Sequence, residues 1–292
     1  MIEHESQFEL YHYQESLCSQ MVRVALEEKQ LDWTSHPILL SEVSRSGDNL
    51  TPEYLRVNPK GQVPTLVHDG EPVYDSWEII RYLDRLRPES GVRLVPDDDD
   101  LEREIGAWTH EAGLRDDVRF GANLGTAIPL VSAPVIRACI RKLPLWHVMW
   151  KFRKHPVPDR RRRFPLARVI PIPNKLLLPA FATIAKALAN IEGALSDGED
   201  WLLGPFTMVD VMMMAHFHRL EDVALGSVLD HGLLPRTAAY WRRLQTRPAY
   251  QKAIIDWHEP HWRSGIETVF QGRPSPNLGV LEEKLSQALP AA

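Results

Sequence analysis

Ser16, in Ser16-Leu17-Cys18-Ser19, falls where a strand-like segment passes into a helical one. A hydroxyl at a helix mouth lies among unpaired backbone amides and at the positive end of the helix dipole, and both favour a negative charge. A thiolate is such a charge, and a hydroxyl donor beside it raises the ionised fraction of a thiol at neutral pH. The same position also suits a plain helix N-cap. Cys18, two residues on, is either a second nucleophile in the same field or a small residue packed inward. Serines stand at both ends of the spacing used by a C-x-x-C dithiol, so that chemistry is excluded; a monothiol at Cys18 is not.

Two further stretches could hold the rest of a peptide-like ligand. Val63-Pro64 opens a strand. Proline is tolerated there as a strand start, but a cis bond would also present the N–H and C=O of Val63 to an extended partner. Asp75-Ser76 opens a helix, with Glu78 completing a D-x-x-E capping pattern. Beyond capping, an amide-rich helix start with a serine hydroxyl suits a carboxylate, and Asp75 suits an ammonium group.

The elements that must carry these residues follow from periodicity. Phe8 to His12 alternates as a strand, and Ser16 to Lys29 repeats apolar residues at helical spacing. Trp33 to Ile38 reads as a second strand, and Thr51-Pro52-Glu53 starts a short helix. Pro64 to His68 and Pro72 to Tyr74 flank Asp69-Gly70, a hairpin turn signal. Asp75 to Arg87 returns to helix, with Ile79, Ile80, Leu83 and Leu86 on one face. The order β-α-β-α-β-β-α is that of an α/β thioredoxin-like domain, here residues 1–88. Residues 89–100, rich in Pro, Gly and Asp, read as a linker.

Residues 101–292 lack strand signals and read as an all-α domain. One long helix is expected over Leu101 to Leu124, another over Leu176 to Leu195, and a third from the capping box Thr207-Met208-Val209-Asp210. A fourth, Thr237 to Thr246, stops before Arg247-Pro248, and the polar tail beyond Pro260 shows only a short pattern at Leu281 to Leu289. Between these helices lies a basic insertion, about residues 137–173. From Arg137 to Arg168 it carries eleven Lys or Arg against the single acid Asp159, with Trp146, Met149, Trp150 and Phe152 interleaved. Such a run is a solvated face or mobile insertion, a contact for an anionic membrane surface, or a nucleic-acid patch.

Bulk properties narrow the function. The chain has 292 residues, 44% hydrophobic and 25% charged, enough for two ordinary globular domains. Its net charge of −5 gives the whole molecule no reason to seek nucleic acid. Two cysteines cannot form a disulfide framework, and the acidic start Met1-Ile2-Glu3-His4-Glu5 lacks a signal-peptide pattern, so a cytoplasmic setting is expected. No metal site is expected: His216 and His218 are two apart and cannot share a helix face, and Met212-Met213-Met214 reads as helix core.

The motifs together resemble the glutathione S-transferase superfamily of the serine type. Tyr11-His12-Tyr13 … Ser16-Leu17-Cys18-Ser19-Gln20 resembles its first strand and helix. Asn58-Pro59-Lys60-Gly61-Gln62-Val63-Pro64 resembles its cis-proline segment, Asp75-Ser76-Trp77-Glu78 its γ-glutamyl site, and Trp201 to Asp210 the capping box of its core helix. The resemblance implies glutathione as co-substrate, with Ser16 stabilising its thiolate. It implies Val63 on the cysteinyl backbone, Pro64 cis, and Asp75 and Ser76 on the γ-glutamyl group, with Lys60 and Gln62 also reaching the tripeptide. It places the second, hydrophobic small-molecule substrate between the domains, against the helix carrying Trp108, Glu111 and Arg115, and it implies a homodimer. Ser16-Leu17-Cys18 is similar to the turn of the zeta class and of tetrachlorohydroquinone dehalogenase, while Asp75-Ser76-Trp77 and Ile170-Pro171-Ile172-Pro173 look closer to bacterial β-etherases. The expected function is a glutathione-dependent transferase or lyase acting on an aromatic ether or other electrophile. Two alternatives are thiol redox or reductive dehalogenation through Cys18, and a non-enzymatic scaffold that binds a protein or makes weak membrane contact through residues 137–168.

Overall fold

The structure is a computed structural model and describes residues 2–195, 199–230 and 232–290. The N-terminal part runs β1 (Phe8–His12), α1 (Leu17–Glu28), β2 (Thr34–Pro37), α2 (Pro52–Val57), β3 (Thr65–His68), β4 (Glu71–Tyr74) and α3 (Ser76–Leu86). Its four strands lie in the order β2-β1-β3-β4. β1 is parallel to β2 and antiparallel to β3, and β3 is antiparallel to β4. This is the thioredoxin-like order expected from the periodicity. Strand alternation gives the sheet two apolar faces. Phe8, Leu10 and Leu66 meet Val22, Leu26, Ile79 and Leu83 of α1 and α3, while Val67 joins Ile38, Tyr54 and Val57 on the other face. Asp69 and Gly70 have φ of 49° and 83°, the paired positive values that a two-residue hairpin turn requires.

The helical part comprises α4 (Asp99–Ala112), α5 (Leu124–Val131), α6 (Ala133–Arg141), α7 (Leu145–Phe152), α8 (Pro158–Val169) and α9 (Asn174–Ala194). It continues with α10 (Met208–Asp222), α11 (Pro235–Thr246), α12 (Pro248–Ala253), α13 (Pro260–Phe270) and α14 (Leu278–Ala288). Met212, Met213 and Met214 are fully buried in α10, as expected. Thr207 and Asp210 form the expected reciprocal cap, and Asp210 also accepts from the Tyr240 hydroxyl at 2.7 Å. A single core cluster runs from Leu17, Met21 and Ala25 of α1 into the helical part, so the two parts share one apolar interior.

Three expectations are corrected. The single helix expected over Leu101 to Leu124 ends at Ala112; residues 113–123 are non-helical, and Leu124 opens α5. α4 opens earlier, because Asp98 caps it by accepting from Leu101 N–H at 2.9 Å. It ends at Gly113, whose ψ of 140° leaves helical space. Asn123 and Thr126 then cap α5 reciprocally. The break is sealed by backbone contact, since a Cβ on Gly125 would lie 2.2 Å from Gly113 O. Second, the tail beyond Pro260 is not merely polar: Pro260 starts α13, and Glu259 caps it by accepting from Trp262 N–H at 3.0 Å.

Third, the basic insertion is not only a solvated face, although Arg153, Lys154, Arg161, Arg162 and Arg163 are exposed as expected. It folds as α6, α7 and α8 around Ile140, Leu143, Val148 and Phe152, with Phe164 stacked on Phe152 at 4.9 Å. Lys151 Nζ donates to Ser46 O at 2.6 Å, docking the insertion on the segment between β2 and α2. The outer side of α7 leaves Trp146 71% exposed, with Met149 and Trp150 beside it. By length and composition α9 could cross a membrane. Its Ala180, Phe181, Ile184, Leu188 and Ile191 are instead buried in the core.

Candidate active site

Strand register gathers the sequence motifs at one end of the sheet. Tyr11 lies opposite Thr65, and Thr65 opposite Tyr74. Beyond these pairs β1 leads on to His12 and Tyr13, β3 is preceded by Val63 and Pro64, and β4 is followed by Asp75 and Ser76, so the motif residues adjoin the same end of the sheet. The Val63-Pro64 bond is cis. Neither the N–H nor the C=O of Val63 makes a hydrogen bond among the described residues, so both are open to an extended ligand backbone. Gln62 is committed at its carbonyl, which accepts from Tyr54 Oη and from Asn58 Nδ2; its side chain is not used there.

Ser16 is the N-cap of α1, with extended φ and ψ of −69° and 124°. Its Oγ accepts from Ser19 N–H at 3.3 Å. A hydroxyl has one donor and two acceptor sites. Capping uses an acceptor and leaves the O–H to point at an incoming thiolate. The capping and ligand-stabilising readings of Ser16 are therefore compatible. Cys18, two residues further on, is half-buried. Burial pushes its thiol above the ordinary cysteine range, with Asp75 adding to the rise. The Ser76 hydroxyl, Arg160 and Arg219 pull the other way. The net direction keeps Cys18 a protonated thiol at neutral pH.

Asp75 corrects an expectation. It occupies the N-cap position of α3 but makes no side-chain capping bond, and its φ is 62°. A non-glycine residue in that region is strained by about 1–3 kcal/mol. The strain coincides with an exposed carboxylate that makes no hydrogen bond or ion pair to a side chain among the described residues. Capping thus does not explain the residue. Ser76 is buried, and its hydroxyl donates to Met21 Sδ at 3.9 Å beside the Cys18 thiol. Its hydroxyl faces sulfur, leaving the first-turn amides of α3 as donors for a carboxylate.

The outer residues divide. Lys60 Nζ pairs with Asp116 at 2.9 Å, both exposed, and lies within the field of Asp75. Arg115 sets its guanidinium 4.8 Å from the Trp77 ring and pairs with Asp117 at 3.0 Å. The turn after α4 is thereby brought over the start of α3. Trp108 is half-buried against the core. Glu111 points elsewhere: its Oε1 accepts from Leu124 N–H at 3.1 Å and it borders a recess with Thr183 and Lys186 of α9. Among the described residues no group of three or more His, Cys, Asp or Glu is placed to hold a metal ion.

Several residues that shape the site escaped the sequence reading. Two buried arginines hold the turn before Ser16. Arg23 donates to Gln14 O at 2.7 Å, and Arg219 of α10 donates to Glu15 O. The Glu15 side chain accepts from Glu259 N–H at 2.8 Å, and Tyr13 Oη donates to Glu259 at 3.2 Å. Burial, helped by the Asp222 carboxylate and opposed by Arg219, pushes the Glu15 carboxyl up to about 7. Glu42 is buried on the β2–α2 segment, its Oε2 unpartnered among the described residues. Burial raises its carboxyl, while Arg160 of the insertion draws it down. The same arginine acts on Cys18, so the insertion projects positive charge toward the thiol side of the site. Charged residues at buried positions were the available signal, but their partners lie far away in sequence.

These features match known proteins. Residues 15–86 match the family model of the glutathione S-transferase N-terminal domain. The chain is 28% identical over 256 residues to "Glutathione S-transferase TCHQD" of Arabidopsis thaliana, covering 84% of this chain and 89% of that one. It is 28% identical over 203 residues to "Protein LigF" of a Sphingobium strain, covering 68% and 76%. The crystal structure of the beta-etherase LigF superposes with a TM-score of 0.74 at 24% identity, covering 86% of this chain and all (100%) of that one. The chain therefore has a glutathione S-transferase N-terminal domain, set in the glutathione S-transferase fold.

Proposed function

We propose that the protein is a glutathione-dependent transferase or lyase in which Ser16 stabilises the glutathione thiolate for attack on an aromatic ether or other electrophilic carbon. The observation that carries this reading is the contrast at α1: the Ser16 hydroxyl keeps a free donor at the helix mouth, while burial holds the Cys18 thiol protonated. Val63 offers its backbone pair to the cysteinyl residue. Asp75 offers an unclaimed carboxylate to the γ-glutamyl ammonium, and the amides of α3 suit its carboxylate. Lys60, Gln62 and Ser76 border this run, and Trp108 and Arg115 flank the side from which a hydrophobic substrate enters.

In the reaction, the glutathione thiol releases its proton to solvent and the Ser16 hydroxyl donates to the resulting sulfur. The thiolate attacks the carbon bearing the leaving group; a C–S bond forms as the C–O bond breaks, and the departing phenolate takes a proton from water. Likeness to a protein named beta-etherase supports the ether class. In this reading the enzyme is a homodimer, as the family resemblance implies.

The test is incubation with glutathione and a panel of β-aryl ethers and halogenated aromatics, followed by mass spectrometry. A glutathionyl thioether that Ser16→Ala fails to produce supports the proposal. Full turnover by Ser16→Ala sinks the serine role. A glutathione adduct on Cys18, with activity lost in Cys18→Ser, would instead establish thiol redox chemistry.

A further inference from the structure

A cleft of about 600 Å³ lies in the helical part, walled by α6, the end of α8, the start of α9 and α13. Its volume is that of a small-molecule pocket. Among the described residues none of the N-terminal domain lines it. The helix α6 explains why it is separate from the site of Ser16. Cys139 is buried on the side of α6 whose electrostatic neighbours include Glu42, Glu15 and Glu259. Arg137 and Arg141 stand two residues to either side of Cys139, about 200° around the helix, and face the cleft instead.

The walls differ in chemistry. Arg137, Arg141 and Lys142 contribute three cations, and no Asp or Glu among the described residues lines the space. Arg137 and Arg141 are an i, i+4 like-charged pair, which repels unless an anion lies between them. The Arg137 Nη2 donates to Val169 O at 3.3 Å, but its Nε is buried without a hydrogen-bond partner among the described residues. Such an orphan donor on a charged group calls for an acceptor. Opposite stand Ala167, Pro171, Ile172, Leu177 and Val269, an apolar surface. Leu166, Val169, Ile170 and Leu176 continue it outward as exposed hydrophobics.

We propose that this cleft binds an amphiphilic organic anion: an apolar aliphatic or aromatic body against Ile172 and Leu177, and a carboxylate or sulfate head on Arg137, with Arg141 and Lys142 adding charge. A helix pair at this point gives the ligand both demands at once, since a cationic wall alone would take inorganic anions and an apolar wall alone would take neutral oils. The site uses the insertion and leaves the glutathione-domain residues free.

The experiment is titration of the full chain with monomeric dodecanoate by calorimetry, with dodecanol and dodecyltrimethylammonium as controls. One dodecanoate per chain should bind, at least tenfold more tightly than either control. Arg137→Gln should weaken it at least tenfold. Ala167→Trp, which fills the apolar side without touching a charge, should weaken it comparably and guards against a folding defect at Arg137. No dodecanoate binding, equal binding of dodecanol, or binding that ignores both variants overturns the proposal. Flotation with phosphatidylserine-containing vesicles separates the sources: capture by vesicles without dodecanoate binding also overturns it and makes this face a membrane contact.

Discussion

The starts of α1 and α3 lie side by side at the same end of the sheet, yet they are finished differently. At α1 the Ser16 side chain completes its own cap with ordinary backbone angles. At α3 Asp75 holds a φ of 62° and caps nothing. A helix start that satisfies itself can still act on a ligand through a spare proton. One that is strained and uncapped gains nothing for the fold from its side chain. The difference teaches that Ser16 stands on a self-satisfied helix start, whereas Asp75 is held against local stability; under the proposed function these are the thiolate-stabilising and the ligand-binding group.

The largest effect should come from Ser16→Ala. Removing a donor aimed at developing or held negative charge lowers turnover by about 10²–10³, while loss of the cap costs about 1 kcal/mol of stability. Steady-state kinetics and denaturant midpoints read both numbers, and a purely structural serine would show only the second. Asp75→Gly should break the comparison from the other side. Glycine accepts the positive φ, so stability should rise by about 1 kcal/mol. Glutathione affinity should fall about tenfold or more as a charged hydrogen bond is lost. A variant that loses stability would show that Asp75 serves the fold.

A smaller effect concerns the ground beneath Ser16. The Glu15 carboxyl titrates near 7 in the fold because it is buried near Asp222. A carboxyl raised above its unfolded value near 4.5 gives stability that is full below that value and is lost as pH rises through about 7. Glu15→Gln removes this term. Between pH 5.5 and 8.5 its stability relative to the wild type should therefore increase by about 2 kcal/mol, measured by chemical denaturation. A pH-independent difference would mean that Arg219 and Arg263 compensate the charge fully. The smallest effect belongs to Cys18→Ser, which should change transferase turnover less than about threefold, because a thiol kept protonated by burial contributes little as a nucleophile.

What was legible in the sequence was local. Alternation in Phe8 to His12, the Asp69-Gly70 turn and the apolar face of α3 each declare themselves within a few residues, and together they order the sheet. Ser16, Val63 and Asp75 stand out as candidates for the same reason: each is a backbone position at or just before an element's start. Even so, the D-x-x-E pattern suggested capping that Asp75 does not perform, because the pattern carries no information about φ. The break between α4 and α5 was hidden because it depends on Gly113 meeting Gly125 in space. Glu15, Arg219, Glu42 and Arg160 were hidden for a stronger reason. Their roles come from burial and charge contacts between segments that no local pattern connects. Glu111 shows the converse: a helix position that looked available is spent on the amide of Leu124.

The hydrogen bond from Arg219 to the Glu15 carbonyl joins residues 204 positions apart. A chain emerging from the ribosome therefore carries its four strands long before Arg219, the second anchor of the Ser16 turn after Arg23, has been synthesised. So distant a closure comes late in assembly. The turn before Ser16 gains its full set of anchors only with the docking of α10.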